Sequence, residues 1–256
     1  MQHQSSLIRH KMNLKSFYRR NRIFLLCIVF VVFGLFLRCL HIVEYSIQSR
    51  DSYTYMDDIA HFQKNELVTE KHHPVLSIYL MSIPSRYFGL DNTKGGVIVN
   101  MMLGVWTVFL IVKTSFNILK SVLLTSCAGI LTASNSNLIY YSTQLLRETS
   151  FLFFVCAALE LLTRKEPDKL LKTFMLGFYT TCAVLCRVEG VEIVIVYFLF
   201  KAVFFLFDKQ KTAKKFKTLV VHCVLYLFSM VSSLFLFNFF FTDGLHLEKL
   251  KGLFAL

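Results

Sequence analysis

The chain has 256 residues, of which 55% are apolar, and its mean hydropathy is +0.55. Charged residues make up only 17%, compared with about 25% in an ordinary soluble domain. This composition excludes a disordered chain, a disulfide-stapled secreted domain and a typical soluble enzyme. It predicts an all-α, polytopic transmembrane helical bundle. The formal net charge of +12 then reflects Lys and Arg in cytoplasmic loops, which set the orientation of the chain.

The first apolar run follows a basic N-terminal segment, residues 1–22. Residues 23–40 form the first predicted span, and Arg38 near its end is placed to snorkel toward the membrane surface. No small-residue cleavage site follows, so we interpret this run as an uncleaved signal anchor with a cytoplasmic N-terminus. The polar segment 41–73 is then an extracytoplasmic loop.

Further apolar runs follow along the chain. Since a helical span needs about 20 residues and several runs are short, we expect about seven or eight membrane elements in all. Residues 23–242 form one transmembrane domain, and 243–256 form a short C-terminal tail. The further runs are 74–90, 95–112, 121–146 (broken by Ser134-Asn135-Ser136-Asn137), 149–162, 170–186, 191–207 and 218–242.

The distribution of Lys and Arg indicates how many of these runs cross the membrane. If all of them cross, the lysine cluster 209–217 lies outside, against the positive-inside rule. If 74–90 is re-entrant or lies along the surface, this cluster becomes cytoplasmic, as do Lys113 and Lys120. Folding 121–146 back on itself fits less well, because it leaves Lys113 and Lys120 outside. We therefore predict that 74–90 does not cross.

The polar residues at the membrane boundaries are the candidate functional residues, because charges at membrane depth are costly and usually face a cavity. In the predicted topology these residues share the extracytoplasmic side. They are Asp51 in Arg50-Asp51-Ser52-Tyr53, His72-His73 before Pro74, Arg147-Glu148, and Arg187-Val188-Glu189 with Glu192 close by.

Each group has a chemical and a structural interpretation. Asp51 can act as a general base, or it can be a solvated loop acid. Pro74 fits the first turn of a helix, where His72 and His73 could bind a metal or a phosphate or simply flank the helix. Arg187 could clamp a phosphate through its planar donors, or form an internal ion pair with Glu189. The sequence identifies no metal ligand set, and it leaves a requirement for a divalent metal open.

The order of these groups resembles the membrane-embedded GT-C glycosyltransferases, in particular the protein-mannosyltransferase and aminoarabinose-transferase-like branch (glycosyltransferase family 39-like). The resemblance covers roughly residues 20–205. Val75 stands where the family has a second proline, and Ser52 stands where many members have Glu. Members are usually longer, so this chain could be a fragment, a minimal member or an inactive relative. The matching motifs are Asp51-Ser52-Tyr53-Thr54-Tyr55, His73-Pro74-Val75-Leu76, Tyr87-Phe88-Gly89, Leu131-Thr132-Ala133 through Tyr140-Tyr141-Ser142 to Glu148, and Gly177 through Leu185-Cys186-Arg187.

The resemblance implies an inverting glycosyltransferase that uses a polyprenyl-phosphate-linked sugar on the extracytoplasmic face. The acceptor would be a glycan, a lipid or a protein, and no nucleic acid is implied. By similarity, Asp51 is the general base, Arg187 binds the lipid phosphate, His73 lies near that phosphate and Glu148 lines the same cavity. The substrate-binding residues expected on this basis are His72, His73, Glu148, Arg187 and Glu189.

Two other classes of function stay open. A non-catalytic GT-C-like subunit, which binds lipid or a partner enzyme, is favoured by the short length and by Ser52. A transporter or flippase for a lipid-linked or small polar solute would use the same buried charges as a pathway. Against transport, the sequence lacks inverted halves and paired Gly/Pro-broken helices.

Overall fold

A computed structural model of the chain describes residues 2–44, 48–64, 74–164, 170–207 and 213–242. These ranges contain helices and no strand, which confirms the predicted all-α class. His72, His73 and the predicted tail 243–256 lie outside the described residues. The helices are α1 Gln2–Glu44, α2 Arg50–Gln63, α3 Val75–Phe88, α4 Asn92–Leu119, α5 Val122–Ala133, α6 Ser136–Thr143, α7 Arg147–Thr163, α8 Leu170–Cys186, α9 Glu192–Phe207 and α10 Ala213–Thr242, with a 3-10 turn Val188–Val191 before α9.

Four helices in the described ranges are long and apolar enough to span a membrane, and the count is five if the bent pair α5–α6 forms one span. This is compatible with an integral membrane protein, but it is fewer than the seven or eight elements expected from the sequence. The difference arises from length and polarity. Helix α8 is apolar but has 17 residues, whereas α7, with 17 residues, and α3, with 14, are both short and less apolar than α8. The four spans are Asn21–Val43, Asn92–Leu119, Val188–Phe207 and Phe216–Phe237.

Helices α7 and α8 lie antiparallel, so the bundle has two distinguishable ends. At one end, Glu148 on the first turn of α7 pairs with Arg187, which follows α8. At the other end, the Lys172 ammonium on the first turn of α8 donates to the carbonyl oxygen of Arg164, which follows α7. We call these the Arg187 end and the Arg164 end.

Helix α3, which covers most of the run 74–90, packs along only part of the length of α4. A Cβ at Gly95 would lie 3.1 Å from the Pro84 side chain, and the Asn100 amide lies 3.5 Å from the Met81 sulfur. Since α4 continues for 19 residues beyond Asn100, α3 does not extend along the whole bundle. Whether the segment 74–90 crosses a membrane stays a prediction.

The segment 41–73, expected as a polar loop, contains the helix α2. Ser49 caps it by accepting a hydrogen bond from the Ser52 N–H, which is the usual role of serine at a helix N-terminus. Tyr55 and Ile59, four residues apart, are both buried against the bundle. Apolar residues therefore recur at the helical spacing of about 3.6 residues in this segment, although most of its residues are polar.

Arg38 does not snorkel toward the membrane surface, as the sequence suggested. Its side chain is fully buried, and its Nε donates to the Ser142 hydroxyl at 2.8 Å. Its Nη1 donates to the carbonyl oxygen of Gly34, and its Nη2 donates to the carbonyl oxygen of Gly104. A Cβ at Gly104 would lie 3.1 Å from Arg38 Nε, so the absence of a side chain there makes room for the guanidinium. Arg38 thereby joins α1, α4 and α6.

Candidate functional site

An ion-paired group at the Arg187 end brings together the two Arg/Glu pairs of the sequence. The Arg187 guanidinium binds both carboxylate oxygens of Glu189, with Nη2 to Oε1 at 2.7 Å and Nε to Oε2 at 3.3 Å. Its Nη1 donates to Glu148 Oε1 at 3.2 Å, and Arg147 Nε lies 3.8 Å from the same oxygen. We call these four residues the Arg187 cluster.

The backbone after α8 explains how Arg187 is presented. Its N–H donates to the Ala183 carbonyl at 2.8 Å, which ends the helix, and its own carbonyl accepts from the Gly190 N–H at 2.9 Å. A Cβ at Gly190 would lie 2.5 Å from the Val184 nitrogen. Only glycine therefore lets the turn fold back against α8, and this turn sets the extended conformation of Arg187.

The charges of the cluster favour the ionised guanidinium. The hydrogen bonds to Glu189 raise the pKa of Arg187 above its ordinary value, and the charge of Glu148 acts in the same direction. The Arg187 side chain is 27% exposed and that of Glu189 is 52% exposed. The cluster is therefore held together by ion pairs, but it stays accessible from outside the bundle.

Helix α2 brings Asp51 to the same region. Burial raises the pKa of the Tyr55 phenol to about 12. Among the nearby charges, Arg147 lowers this pKa, and three acids raise it, namely Glu148, Asp51 and Asp58. Tyr55 therefore lies among the acids of α2 and the first residues of α7. Asp51 is exposed, so a soluble group can reach its carboxylate.

A buried polar network holds α2 beside the start of α7. The Asn100 amide nitrogen donates to the carbonyl oxygens of Gln144 at 2.7 Å and Leu146 at 3.0 Å. The Gln144 side chain in turn accepts from the Ser49 N–H at 2.7 Å and from the Ser52 hydroxyl at 3.5 Å. Asn100, Gln144 and Ser52 are each at most 1% exposed. This network fixes the non-helical link between α6 and α7.

The structure thus places the candidate residues as follows. Arg187, Glu148 and Glu189 form one contact group, with Arg147 beside Glu148. Asp51 lies in electrostatic reach of Tyr55, as do Arg147 and Glu148. Sequence reasoning gave no role to Asn100, Gln144 or Tyr55. Asn100 and Gln144 are polar residues within uncharged runs, and Tyr55 is one of the apolar positions at helical spacing within a polar segment.

An apolar groove of about 530 Å³ lies along α4, α7 and α8. Phe153 and Ala157 line it from α7, five and nine residues after Glu148. With a rise of 1.5 Å per residue, these positions lie roughly 7.5 and 13.5 Å along the helix axis from Glu148. With about 100° of rotation per residue, however, they lie roughly 140° and 180° around the helix axis from Glu148. The groove is therefore on a different face of α7 from the Arg187 cluster, and no residue of that cluster lines it. Trp106 of α4 contributes another wall.

Among the described residues, no group of three or more His, Cys, Asp or Glu side chains is placed to hold a metal ion. The histidines that the resemblance implies for the site are outside these residues. Comparison with protein-family models, curated proteins and solved structures gives no match.

Proposed function

We propose that the chain transfers a sugar from a polyprenyl-phosphate-linked donor to an acceptor hydroxyl or amine. The observation that carries the proposal is the accessible Arg187 cluster beside the helix that bears Asp51. A donor of this class has an apolar tail, an anionic phosphate and a polar sugar. Arg187 suits the phosphate, the Asp51 side of α2 suits the sugar and the acceptor, and the exposed apolar surfaces of the helices suit the tail.

Arg187 has the donors that a phosphate needs. A guanidinium carries five N–H groups in one plane, and three of its nitrogens bond the two glutamates. If each of these bonds uses one N–H, two N–H groups are left for phosphate oxygens. Glu148 and Glu189 would orient the guanidinium and accept hydrogen bonds from sugar hydroxyls. His73, with His72, would lie beside the same phosphate.

The reaction would proceed as a single displacement. The Asp51 carboxylate takes the proton of the acceptor hydroxyl or amine. The acceptor atom forms a bond to the anomeric carbon while the bond from that carbon to the phosphate oxygen breaks. The electron pair stays on the polyprenyl phosphate, whose growing charge Arg187 stabilises. The configuration at the anomeric carbon is inverted.

Two buried hydroxyls on the first turn of α7 also support a polar ligand here. Thr149 and Ser150 follow Glu148 directly, and neither hydroxyl has a hydrogen-bond partner within the described part of the chain. Buried hydroxyls are nearly always hydrogen bonded in proteins, often to water. This turn of α7 can therefore bind water or hydroxyl groups behind the Arg187 cluster.

The first test compares two acids of the same helix. Asp57 lies on α2 like Asp51 and is exposed like it, but its charge is not among those that act on Tyr55. We expect Asp51→Asn to abolish sugar transfer and Asp57→Asn to keep wild-type transfer. The measurement is release of radiolabelled sugar from a set of polyprenyl-phosphate donors by the full chain in proteoliposomes, with a membrane extract as the acceptor source.

The outcomes separate the proposed activity from its competitors. Full transfer by Asp51→Asn, with unchanged expression and insertion, would remove Asp51 as the base. Donor binding by the wild-type chain without any release of sugar would indicate a non-catalytic subunit. Movement of intact donor across the liposome membrane, without sugar release, would indicate a transporter.

A further inference from the structure

A second cavity, of about 640 Å³, lies between α2 and α3 on one side and α8 and α10 on the other. None of the residues that line it belongs to the Arg187 cluster or to the apolar groove. The proposed transfer reaction does not use it. Its size is within the range of ligand-binding cavities, about 300–1,000 Å³.

The α3 side of this cavity carries a positive charge. Arg86 of α3 lines it and is exposed. Its described contacts are two aromatic rings, with Cζ 5.8 Å from the Phe62 centroid and 6.0 Å from the Tyr87 centroid. Tyr79, on the same helix, adds a hydroxyl group that is hydrogen-bonded to Tyr87, and Ser233 adds a hydroxyl group from α10. No Asp or Glu is among the described residues that line the cavity.

The opposite wall is aromatic. Phe178 of α8 and Phe237 of α10 stack with their centroids 6.1 Å apart and their planes 24° apart, and Phe174 lines the cavity beside them. Such a surface favours an apolar chain over a fully hydrated solute. The two walls together therefore suit a molecule that is anionic at one end and apolar at the other.

We propose that this cavity binds an amphiphile with a phosphate-containing anionic headgroup, a membrane phospholipid. The headgroup phosphate binds the Arg86 guanidinium in a charge-assisted hydrogen bond. The hydroxyls that line the cavity donate to the remaining headgroup oxygens, and one acyl chain packs on Phe178 and Phe237. A bound lipid bridges α3 and α10.

The test measures lipid retention by native mass spectrometry of the full chain. The probes are dioleoyl phosphatidic acid, dioleoyl phosphatidylcholine and inorganic phosphate. We expect phosphatidic acid to bind in preference to phosphatidylcholine, and Arg86→Gln to lower its affinity about tenfold, since a hydrogen bond to a charged group is lost. Arg86→Lys, which keeps the charge, should lower the affinity for phosphatidic acid much less than Arg86→Gln does. Ser233→Phe, which fills the cavity, should abolish this binding.

A matched control keeps the result specific. Lys120→Gln removes another cation that lies over an aromatic ring, Phe116, at 5.6 Å, and it should leave phosphatidic acid binding unchanged. Equal loss in Lys120→Gln would show a general charge effect and overturn the proposal. Competition by inorganic phosphate alone would show a site for free phosphate and overturn the lipid assignment. Wild-type binding by both Arg86→Gln and Ser233→Phe would show that the cavity holds no lipid.

Discussion

Each end of the bundle carries a cluster of Arg and Glu. The two clusters differ in the burial of their carboxylates and in the ion pairs that those carboxylates form. At the Arg164 end, Glu160 is almost completely buried and accepts two hydrogen bonds from Arg164, at 2.9 and 3.0 Å, and one from Lys113 at 3.0 Å. At the Arg187 end, Glu189 is 52% exposed and Arg187 is shared between two glutamates.

The difference separates a structural role at the Arg164 end from the chemical role that we propose for the Arg187 end. Glu160 is surrounded by its own helix and by α4, and its carboxylate is fully occupied by cations, so it ties two helices together. Burial raises its pKa, but the hydrogen bonds of Arg164 and Lys113 outweigh that effect and leave the pKa below its ordinary value. The Arg187 cluster instead keeps an accessible surface, as the ligand-binding site that we propose there needs.

The largest effect on stability is expected at the Arg164 end. Glu160→Gln removes the charge between two cations that are about one-third exposed. We expect a loss of about 2 kcal/mol in the free energy of unfolding, below the full cost of a buried unpaired charge, because both cations can regain water. The measurement of this loss is thermal unfolding in detergent, monitored through the decrease of the monomer peak after heating.

The matched control for Glu160 is Glu189→Gln at the other end. Its carboxylate is mostly solvated, so the same measurement should change by less than about 0.5 kcal/mol. Equal destabilisation by both variants would contradict the distinction between the two clusters.

A smaller effect is expected from the network that positions α2. Asn100→Leu keeps the side-chain size but leaves the carbonyl oxygens of Gln144 and Leu146 without their donor. We expect a loss of about 1–2 kcal/mol, together with weaker sugar transfer, since the link before α7 is no longer fixed.

The control for Asn100 lies on the same helix. The Asn117 amide nitrogen is buried and has no hydrogen-bond partner among the described residues, so Asn117→Leu should be neutral or stabilising under the same heating assay. A larger loss from Asn117→Leu than from Asn100→Leu would show that the network does not hold the link.

Local features of the chain were predictable where residue chemistry decides them. The break in the run 121–146 was expected from its Ser and Asn residues. The structure ends α5 at Ala133 and bends by 48° before α6, where Asn135 caps the helix by accepting from the Leu138 N–H. A helix was expected to start at Pro74, and α3 begins at Val75 with Pro74 before it.

Contacts between distant segments could not be predicted in the same way. Arg38 bonds a serine 104 positions away, and Asn100 bonds carbonyl groups 44 and 46 positions away. A single Arg near the end of an apolar run has the same local pattern whether it snorkels or is buried. Only the packing of α1 against Gly104 and α6 decides between these outcomes, and this information is not local in the sequence.

The most direct test of the central claim compares one arginine from each end. Arg187→Gln and Arg164→Gln should be assayed for sugar transfer from radiolabelled polyprenyl-phosphate donors, with rates normalised to the folded fraction. We predict that Arg187→Gln loses at least about a hundredfold, as expected when a stabiliser of transition-state charge is removed, while Arg164→Gln keeps its normalised rate. Retention of the rate by Arg187→Gln, or an equal loss in both variants, would contradict the assignment of the reaction to the Arg187 end.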